Sequence, residues 1–430
     1  MIIYTEHITP RLQYIISVLF HQQAIVTNDK NVFQQSGKIK INYSSQQIHE
    51  TEIRIAPHTL LFENIIQPQQ VICFAWNELK VFFETDGDIP FDIFAASFYL
   101  ITRYEEWLPH EKDEYGRYAH TNSLAHREGF LHLPLVNLWL KKFEKEVRKK
   151  FRKASLPSAP FRFMPTYDVD IAFKYSGKGF LKNAASFFKT IFKLNLKENI
   201  QQLTVLAGKA TDPFDVFEWL HSLHKRKNIQ AIYFFLLAEE NKLYDKNILP
   251  SKSVLQGLIK TIASNNPVAI HPSWQSNDVH DRLAEEISRL SFITGKNITI
   301  SRQHYIRMSF PETYRQLIRH NITDDHSMGY GSINGFRASY TNAFAWYDLG
   351  EEKQTSLNIH PFCYMDANAF FEEKLSAHGA AEEMKHYYSI SKSVHGECIF
   401  IHHNHFLTEE NEWIDWRKMY ENFLMMIPGQ

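Results

Sequence analysis

The chain has 430 residues, of which 44% are hydrophobic, so it is long enough for two or three domains and too apolar to be disordered. Its formal net charge of −1 argues against a general nucleic-acid-binding protein, and we expect no nucleic-acid partner. Three cysteines without CxxC spacing argue against a disulfide framework and fit a reducing compartment. The amino terminus does not resemble a signal peptide and the apolar runs are too short to span a bilayer, so we expect a cytoplasmic protein.

Residues 1–152 mix short strand-like runs with helical segments and predict a small α+β domain. Helices are predicted at 90–107 and at 135–151, the second with basic residues in its last turns. The stretch 153–160 carries two prolines and two serines, which is typical of a linker. We therefore predict a domain boundary there, with residues 161–430 as the second domain.

From residue 161 the pattern changes to short apolar strands that alternate with helical segments. The predicted strands are 161–166, 231–238, 268–270, 298–300, 321–323, 335–337, 357–359 and 398–401. Such alternation predicts an α/β fold with a parallel sheet that is covered on both faces. Seven or eight units favour a (β/α) barrel over an open sheet.

The segment 173–197 interleaves phenylalanine with lysine. This pattern is compatible with weak contact to a membrane surface or an anionic glycolipid. The more common structure is an amphipathic helix with an ordinary solvated basic face, and we favour it because one basic helix is weak evidence for lipid binding.

Polar residues stand where several predicted strands end. Asp168 and Asp170 close the first strand, and acidic side chains at the end of a buried strand are costly unless they bind a metal, pair with a cation or do chemistry. Later strands are followed by His271, Arg302, Asp325, Arg337 and His403. Side chains at the carboxyl ends of successive strands form the active site of an α/β barrel. The pattern therefore predicts an enzyme that depends on a metal.

Several of these motifs resemble one family in order and spacing. The run Thr-Tyr-Asp-Val-Asp from Thr166 resembles the first motif of the polysaccharide deacetylases (carbohydrate esterase family four, the chitooligosaccharide-deacetylase homology domain). The run Ile-His-Pro-Ser-Trp from Ile270 resembles their histidine motif, Arg302 lies where their arginine motif belongs, and 400–404 resembles their last motif. The resemblance covers about residues 161–405. It implies a distorted (β/α) barrel of the polysaccharide-deacetylase type after the small α+β domain.

The amino-terminal part carries a second resemblance. Residues 98–106 and the run Asp-Glu-Tyr-Gly-Arg at 113–117 resemble the uncharacterised domain that precedes the deacetylase domain in many bacterial surface-polysaccharide proteins. This domain has no clear chemical role. For the charged residues at 103–106 we prefer surface pairing and packing to a role in the site.

The deacetylase resemblance implies a metal-dependent hydrolase that removes an acyl group, N-acetyl above all, from an amino sugar of a surface polysaccharide or its precursor. In this reaction Asp168 would be the general base, held and oriented by Arg302, and His403 the general acid. Asp170 and His271 would bind a divalent metal, with zinc expected first and cobalt or nickel as alternatives. No nucleotide-binding fingerprint occurs, so we expect no organic cofactor.

Three further residues are assigned to substrate binding. They are Arg337, Asp325 and Trp274, each of which follows a predicted strand and so lies near the expected site. Each also has an alternative role: a structural ion pair for Arg337, a loop cap for Asp325 and core packing for Trp274.

One position departs from the family pattern. The family carries a second metal-binding histidine four residues after the first, where this chain has Gln275. We predict His304 as the replacement ligand, because adjacent strand ends can bring His271 and His304 together. The alternative is a degenerate, non-catalytic protein that binds glycans or assists polysaccharide assembly without a metal.

Overall fold

The computed structural model describes residues 1–179, 183–187, 196–239, 243–410 and 413–429 of the chain. The first part contains a four-stranded parallel sheet and a small antiparallel hairpin. Its strands are β1 (Ile2–Thr5), β2 (Ile25–Thr27), β3 (Lys40–Tyr43), β4 (Ile53–Arg54), β5 (Phe74–Trp76) and β6 (Leu79–Val81). Its helices are α1 (Pro10–Leu19), α2 (Lys30–Gln35), α3 (Ile93–Ile101), α4 (Leu124–Arg127) and α5 (Leu135–Lys150).

The four-stranded sheet has the order β2-β1-β3-β4. Helix α1 connects β1 to β2 and helix α2 connects β2 to β3, so the strands run parallel. This sheet is therefore built as α/β and not as the predicted α+β, because a helix lies between β1 and β2 and another between β2 and β3.

Helix α3 is shorter than the predicted helix at 90–107. It begins after Asp92, whose carboxylate accepts hydrogen bonds from the amides of Phe94 and Ala95. It ends at Ile101, and Arg103 has a left-handed backbone conformation with φ of 55°. The side chain of Arg103 is buried in ion pairs with Glu105 and Glu106, which favours a turn at this point over a continued helix.

The second sheet has nine strands in the order β12-β13-β11-β10-β9-β8-β7-β15-β14. These strands are β7 (Arg162–Val169), β8 (Ile232–Leu236), β9 (Val268–His271), β10 (Ile300–Ser301), β11 (Asp324–Asp325), β12 (Phe344–Asp348), β13 (Lys353–Ile359), β14 (Tyr364–Met365) and β15 (Glu397–His403). All neighbours pair in parallel except β12 with β13. The helices that accompany it are α6 (Leu196–Leu206), α7 (Phe217–Lys227), α8 (Ser253–Asn265), α9 (His280–Thr294), α10 (Glu312–Arg319), α11 (Ala377–Ser393) and α12 (Ile414–Met426). The predicted parallel sheet is thus confirmed.

The predicted set of strands differs from the observed set in two respects. The predicted strand 335–337 is a loop, in which the amide of Gly335 donates to the carbonyl of Cys363 and the Arg337 side chain is buried in an ion pair. Strands β12 and β14 were not predicted. The first is an antiparallel edge strand, and the second has only two residues, too few for a hydrophobic pattern.

The nine-stranded sheet curves around a small apolar interior but does not close. Side chains from β9, β8, β7, β15 and β14, which are consecutive in the sheet order, pack in one cluster with Ile306 and Phe362 from loops. Among the described residues no strand ladder joins β14 to β11 or β13, so the predicted barrel has an open seam. The segment 360–363 crosses this seam, because the amide of His360 donates to Asp325 and the amide of Cys363 donates to Ile399.

An ion-pair bridge also spans the seam. The imidazole of His360 lies 3.0 Å from Asp324 on β11 and 3.1 Å from Glu397 on β15. Burial alone would lower the pKa of His360, but the two carboxylates raise it to about 9. The side chain is therefore charged at neutral pH and holds together two strands that no ladder connects.

The hydrophobic core continues from the first part of the chain into the second. One connected cluster of buried side chains includes residues of both sheets, from Ile3 to Ile427. Residues 153–160 connect the two parts; four of the eight are exposed, two are half-buried, and Ala154 and Leu156 are buried. The division into domains 1–152 and 161–430 stays a prediction, and the shared core means that neither part buries all of its apolar surface alone.

Residues 180–182 and 188–195 of the phenylalanine and lysine segment 173–197 lie outside the described residues. The contact of 173–197 with a membrane surface therefore stays a prediction. Helix α6 begins at the end of this segment, and its residues Leu196, Ile200 and Leu203 are 70%, 63% and 54% exposed. In the described part of the chain, no helix is long and apolar enough to cross a membrane. The cytoplasmic location also stays a prediction.

Candidate active site

The predicted catalytic residues meet at the carboxyl ends of the central strands. Side chains on a strand alternate between its faces, so Asp168 lies on the same face of β7 as Met164, which belongs to the interior cluster. His403, the last residue of β15, pairs in register with Asp168, and His271 is the last residue of β9. These side chains line a cavity of about 530 Å³ at this end of the sheet.

Arg302 holds Asp168 through a buried ion pair. The Nη1 atom of Arg302 donates to Asp168 Oδ1 at 2.7 Å and to Thr166 Oγ1 at 2.8 Å, and its Nε donates to the carbonyl of His326. Burial lowers the pKa of Arg302, although the charge of Asp168 opposes the shift. The arrangement occupies one carboxylate oxygen and leaves Oδ2 facing His271, whose Nε2 is 3.7 Å away.

Asp170, His271 and His304 form a group that could hold a metal ion. Their ligand atoms all lie within 4.8 Å of one another. The Nε2 atom of His271 is 3.4 Å from Asp170 Oδ1, and that of His304 is 3.7 Å from Asp170 Oδ2. Two ligand atoms at about 2.1 Å from a zinc ion and at the tetrahedral angle lie about 3.4 Å apart, which is close to these spacings.

The other nitrogen of each histidine is already occupied. His271 Nδ1 donates to the carbonyl of Arg302 at 2.5 Å, and His304 Nδ1 donates to Asp245 Oδ1 at 2.9 Å. Both Nε2 atoms therefore face Asp170, the orientation that a metal-binding imidazole needs. Asp170 Oδ1 is buried without a well-formed hydrogen bond. A buried carboxylate oxygen usually has a partner, so this one is suited to bind a cation.

The residues of the metal group shift the pKa values of one another. Burial opposes ionisation of Asp170, but His304 and His271 hold its pKa well below the usual range. Burial would lower the pKa of His304, whereas Asp170 and Asp245 raise it to about 9. A metal that binds here must therefore displace a proton from His304.

His403 has the environment of a proton donor. Its Nδ1 donates to Asp366 Oδ1 at 2.6 Å, and its backbone amide donates to Asp366 Oδ2 at 2.7 Å. Burial acts to lower the pKa of His403, but Asp366 raises it to about 9. Its Nε2 is 3.7 Å from Asp170 Oδ2 and lines the cavity. His403 thus carries a proton at neutral pH and presents it next to the metal group.

Sequence reasoning missed the two carboxylates that orient these histidines. Asp366 directly follows β14, so a polar residue at the end of an apolar strand was the available signal, but β14 itself was not predicted. Asp245 lies in the loop after β8, and its sequence context contains no signal. It also accepts a hydrogen bond from the amide of Trp274, which ties the loop to the end of β9.

The structure does not bring Arg337 or Asp325 to the cavity. Arg337 is buried and donates to both carboxylate oxygens of Glu106 and to the carbonyl of Gly329. Asp325 accepts hydrogen bonds from the side chains of Ser301 and Ser327 and from the amide of Ser327. The alternatives stated for them, an ion pair and a loop cap, describe their geometry, because the polar atoms of both side chains bond to other residues and neither residue lines the cavity.

Trp274 lies behind the cavity wall. Its ring stacks on Tyr244 at 3.9 Å, and it is Tyr244 that lines the cavity. Gln275 does not line the cavity, and its Nε2 is buried without a hydrogen bond. The predicted replacement of the missing histidine by His304 agrees with this geometry.

Comparisons with known proteins add the following. Residues 1–152 match the model of a family of unknown function (DUF7033). No curated protein is similar enough to this chain to count as a match. A crystal structure from Mycobacterium smegmatis, described as a putative polysaccharide deacetylase, is 12% identical to this chain with a TM-score of 0.39. The match covers 63% of this chain and 85% of the Mycobacterium smegmatis chain. A second crystal structure, of a probable polysaccharide deacetylase from Pseudomonas aeruginosa PAO1, is 10% identical with a TM-score of 0.37. This match covers 62% of this chain and 83% of the Pseudomonas aeruginosa chain. At this distance neither likeness assigns a function.

Proposed function

We propose that this protein is a metal-dependent hydrolase that removes an acyl group, most directly N-acetyl, from an amino sugar of a surface polysaccharide or its precursor. The observation that carries the proposal is the convergence of three imidazoles on Asp170, with the Nε2 atoms of His271, His304 and His403 at 3.4, 3.7 and 3.7 Å. Asp168 lies beside them in its ion pair with Arg302. The curved sheet with its open seam supports a distorted barrel of the polysaccharide-deacetylase type.

Asp170, His271 and His304 would hold the divalent ion. One carboxylate and two neutral imidazoles suit zinc, and also cobalt or nickel. A bound ion of this kind supplies Lewis acidity to an amide carbonyl and to a water molecule.

The chain's own residues supply the proton transfers. Asp168 accepts the proton of the water through Oδ2, since Arg302 occupies Oδ1 and fixes the orientation of the carboxylate. His403 donates its Nε2 proton to the nitrogen of the leaving amine. Asp366 holds the charged imidazole in place before the transfer and fixes the tautomer after it.

The cavity has the size and lining of a small-molecule site. Its volume of about 530 Å³ lies within the range of about 300–1,000 Å³ that is common for ligand pockets. Its lining combines polar side chains, including those of the metal group and His403, with the aromatic side chains of Tyr115, Tyr244, Tyr305 and Phe371. A sugar ring offers both the hydroxyl groups and the apolar face that such a lining can bind.

The rival function is a glycan-binding or polysaccharide-assembly protein that has no metal. Gln275, in the place of a family histidine, is the feature that supports it. Metal analysis of the purified protein separates the two functions, because only the enzyme requires one divalent ion per chain.

The direct test is acetate release from N-acetylated sugar oligomers, measured with the metal-loaded protein and after chelation. We expect turnover that chelation abolishes and that added zinc, cobalt or nickel restores. A protein that binds no metal and releases no acetate from a broad panel of sugars would support the rival.

A further inference from the structure

A short turn of the amino-terminal region reaches the catalytic cavity. It is the run Asp-Glu-Tyr-Gly-Arg at 113–117, to which the proposed reaction assigns no role. Asp113 accepts hydrogen bonds from the amides of Tyr115 and Arg117 and from Arg117 Nε, and Gly116 has a φ of 73° that favours glycine. The turn is therefore fixed by its own hydrogen bonds. Both Tyr115 and Arg117 line the cavity that contains the candidate metal group.

Arg117 fastens this turn to the segment that carries a metal-ligand candidate. Its Nη1 donates to the carbonyl of Tyr305 at 2.7 Å, next to His304. Tyr305 has a φ of 59°, a left-handed conformation that is costly for a residue with a bulky side chain. Gly331 makes room for the contact, since a Cβ there would collide with Arg117 Nη1. The amino-terminal region thus helps to hold the cavity wall in a strained conformation.

The ring of Tyr115 completes an aromatic wall. Its centroid lies 5.4 Å from Tyr305 and 6.3 Å from Tyr244, both of which line the cavity, and 6.1 Å from Trp274 behind them. Arg117 lies over one face of the Tyr115 ring, at 4.7 Å. Tyr115 is only partly buried, so it can still offer aromatic surface to a ligand.

We propose that Tyr115 forms a sugar-binding subsite of the catalytic cavity, where it stacks on a pyranose ring next to the acylated one. The inference rests on the proposed function and narrows its substrate class to oligosaccharides of at least two sugar units. It also gives the region that matches a family of unknown function a role in substrate binding. Rings of Tyr115, Tyr244 and Tyr305 provide the stacking surface, and Arg117 positions two of them.

The test compares Tyr115→Ala with Tyr115→Phe on two probes, N-acetylglucosamine and its tetramer. An aromatic contact contributes about 0.5–1.5 kcal/mol, so Tyr115→Ala should raise the KM for the tetramer about two- to tenfold, and more than for the monomer. Tyr115→Phe keeps the ring and should stay near the wild type. The matched control is Phe292→Ala, which removes an aromatic ring that is 85% exposed on α9 and outside the cavity lining. Thermal unfolding checks that each variant is folded.

Calorimetric titration of the tetramer into the chelator-treated protein measures the same subsite without turnover. Binding that weakens in Tyr115→Ala supports the subsite even if acetate is never released, in which case the proposed function alone fails. If the protein turns over but Tyr115→Ala changes neither the KM for the tetramer nor the binding of the tetramer, the subsite is overturned and the proposed function stays intact. Equal effects on monomer and tetramer, or a wild-type protein that neither binds nor hydrolyses the tetramer, also overturn it.

Discussion

Asp168→Asn should separate catalysis from metal binding, but it should also destabilise the protein. Both partners of the Asp168–Arg302 pair are almost completely buried, with side-chain exposures of 3% and 0%, so water does not screen the 2.7 Å contact. The asparagine leaves a buried guanidinium without the carboxylate that it contacts, and breaking such a pair typically costs about 3–5 kcal/mol. Because the amide oxygen can still accept one hydrogen bond, we expect about 3 kcal/mol, at the lower end of that range.

Denaturant unfolding of four proteins measures this cost: the wild type, Asp168→Asn, Arg302→Met and the double variant. The double variant removes both charges, so its loss of unfolding free energy should be smaller than the sum of the two single losses by about 2 kcal/mol or more. Asp278→Asn is the matched control. It breaks the Arg307–Asp278 pair, in which the carboxylate is 58% exposed, and should cost less than about 1 kcal/mol.

In the same Asp168→Asn protein, turnover should fall about a hundredfold to ten-thousandfold while metal content stays at the wild-type level. The loss of a general base explains the first effect, and the second follows because Asp168 is not in the metal group. The reasoning is refuted if Asp168→Asn costs no more stability than Asp278→Asn, or if it loses as much metal as Asp170→Asn.

Three further predictions concern other residues. Asp170→Asn should release the metal, whereas His403→Ala should keep it and lower turnover about a hundredfold or more; metal analysis of both proteins checks this, and equal metal loss would contradict it. Asp245→Asn removes the carboxylate that orients His304 and should weaken metal affinity about 10–100-fold in a chelator competition assay, and unchanged affinity would contradict this orienting role of Asp245. The pKa of His360 is raised from 6.5 to about 9, so the charged imidazole stabilises the folded protein. The wild type should exceed His360→Gln in unfolding free energy by at most about 3 kcal/mol. This difference should be complete below pH 6.5 and disappear as pH rises through 9. A difference in unfolding free energy that is the same at pH 6 and pH 10 would refute the bridge across the seam.

Much of the second sheet could be predicted from local pattern. The apolar runs at β7, β8, β9 and β15 are long enough to show strand periodicity, and their positions are confirmed within a few residues. The bounds of the short strands β10 and β11 are shifted by one to three residues from those of the predicted runs 298–300 and 321–323. The seam was not predictable, because barrel closure depends on pairing between distant strands and β14 has only two residues.

The metal group shows where sequence reasoning reached its limit. The two-residue spacing of Asp168 and Asp170 and the strand-end positions of His271 and His403 indicated a common site, since parallel strands end at one edge of a sheet. The substitution at Gln275 left two outcomes open, a new ligand or no metal. Only the folded chain shows that His304 reaches Asp170 and that Asp245 orients it.

The sequence by itself determined which side chains stand at the ends of strands, because strand periodicity and the position of each apolar run are local properties. Tertiary structure decided which of them meet. Arg337 follows an apolar run as His271 does, yet it is buried against Glu106 from a distant part of the chain. Tyr115 and Arg117 lie more than 50 residues before Asp168, yet they share its cavity. Such contacts depend on how segments far apart in sequence pack against each other, and no local pattern encodes that packing.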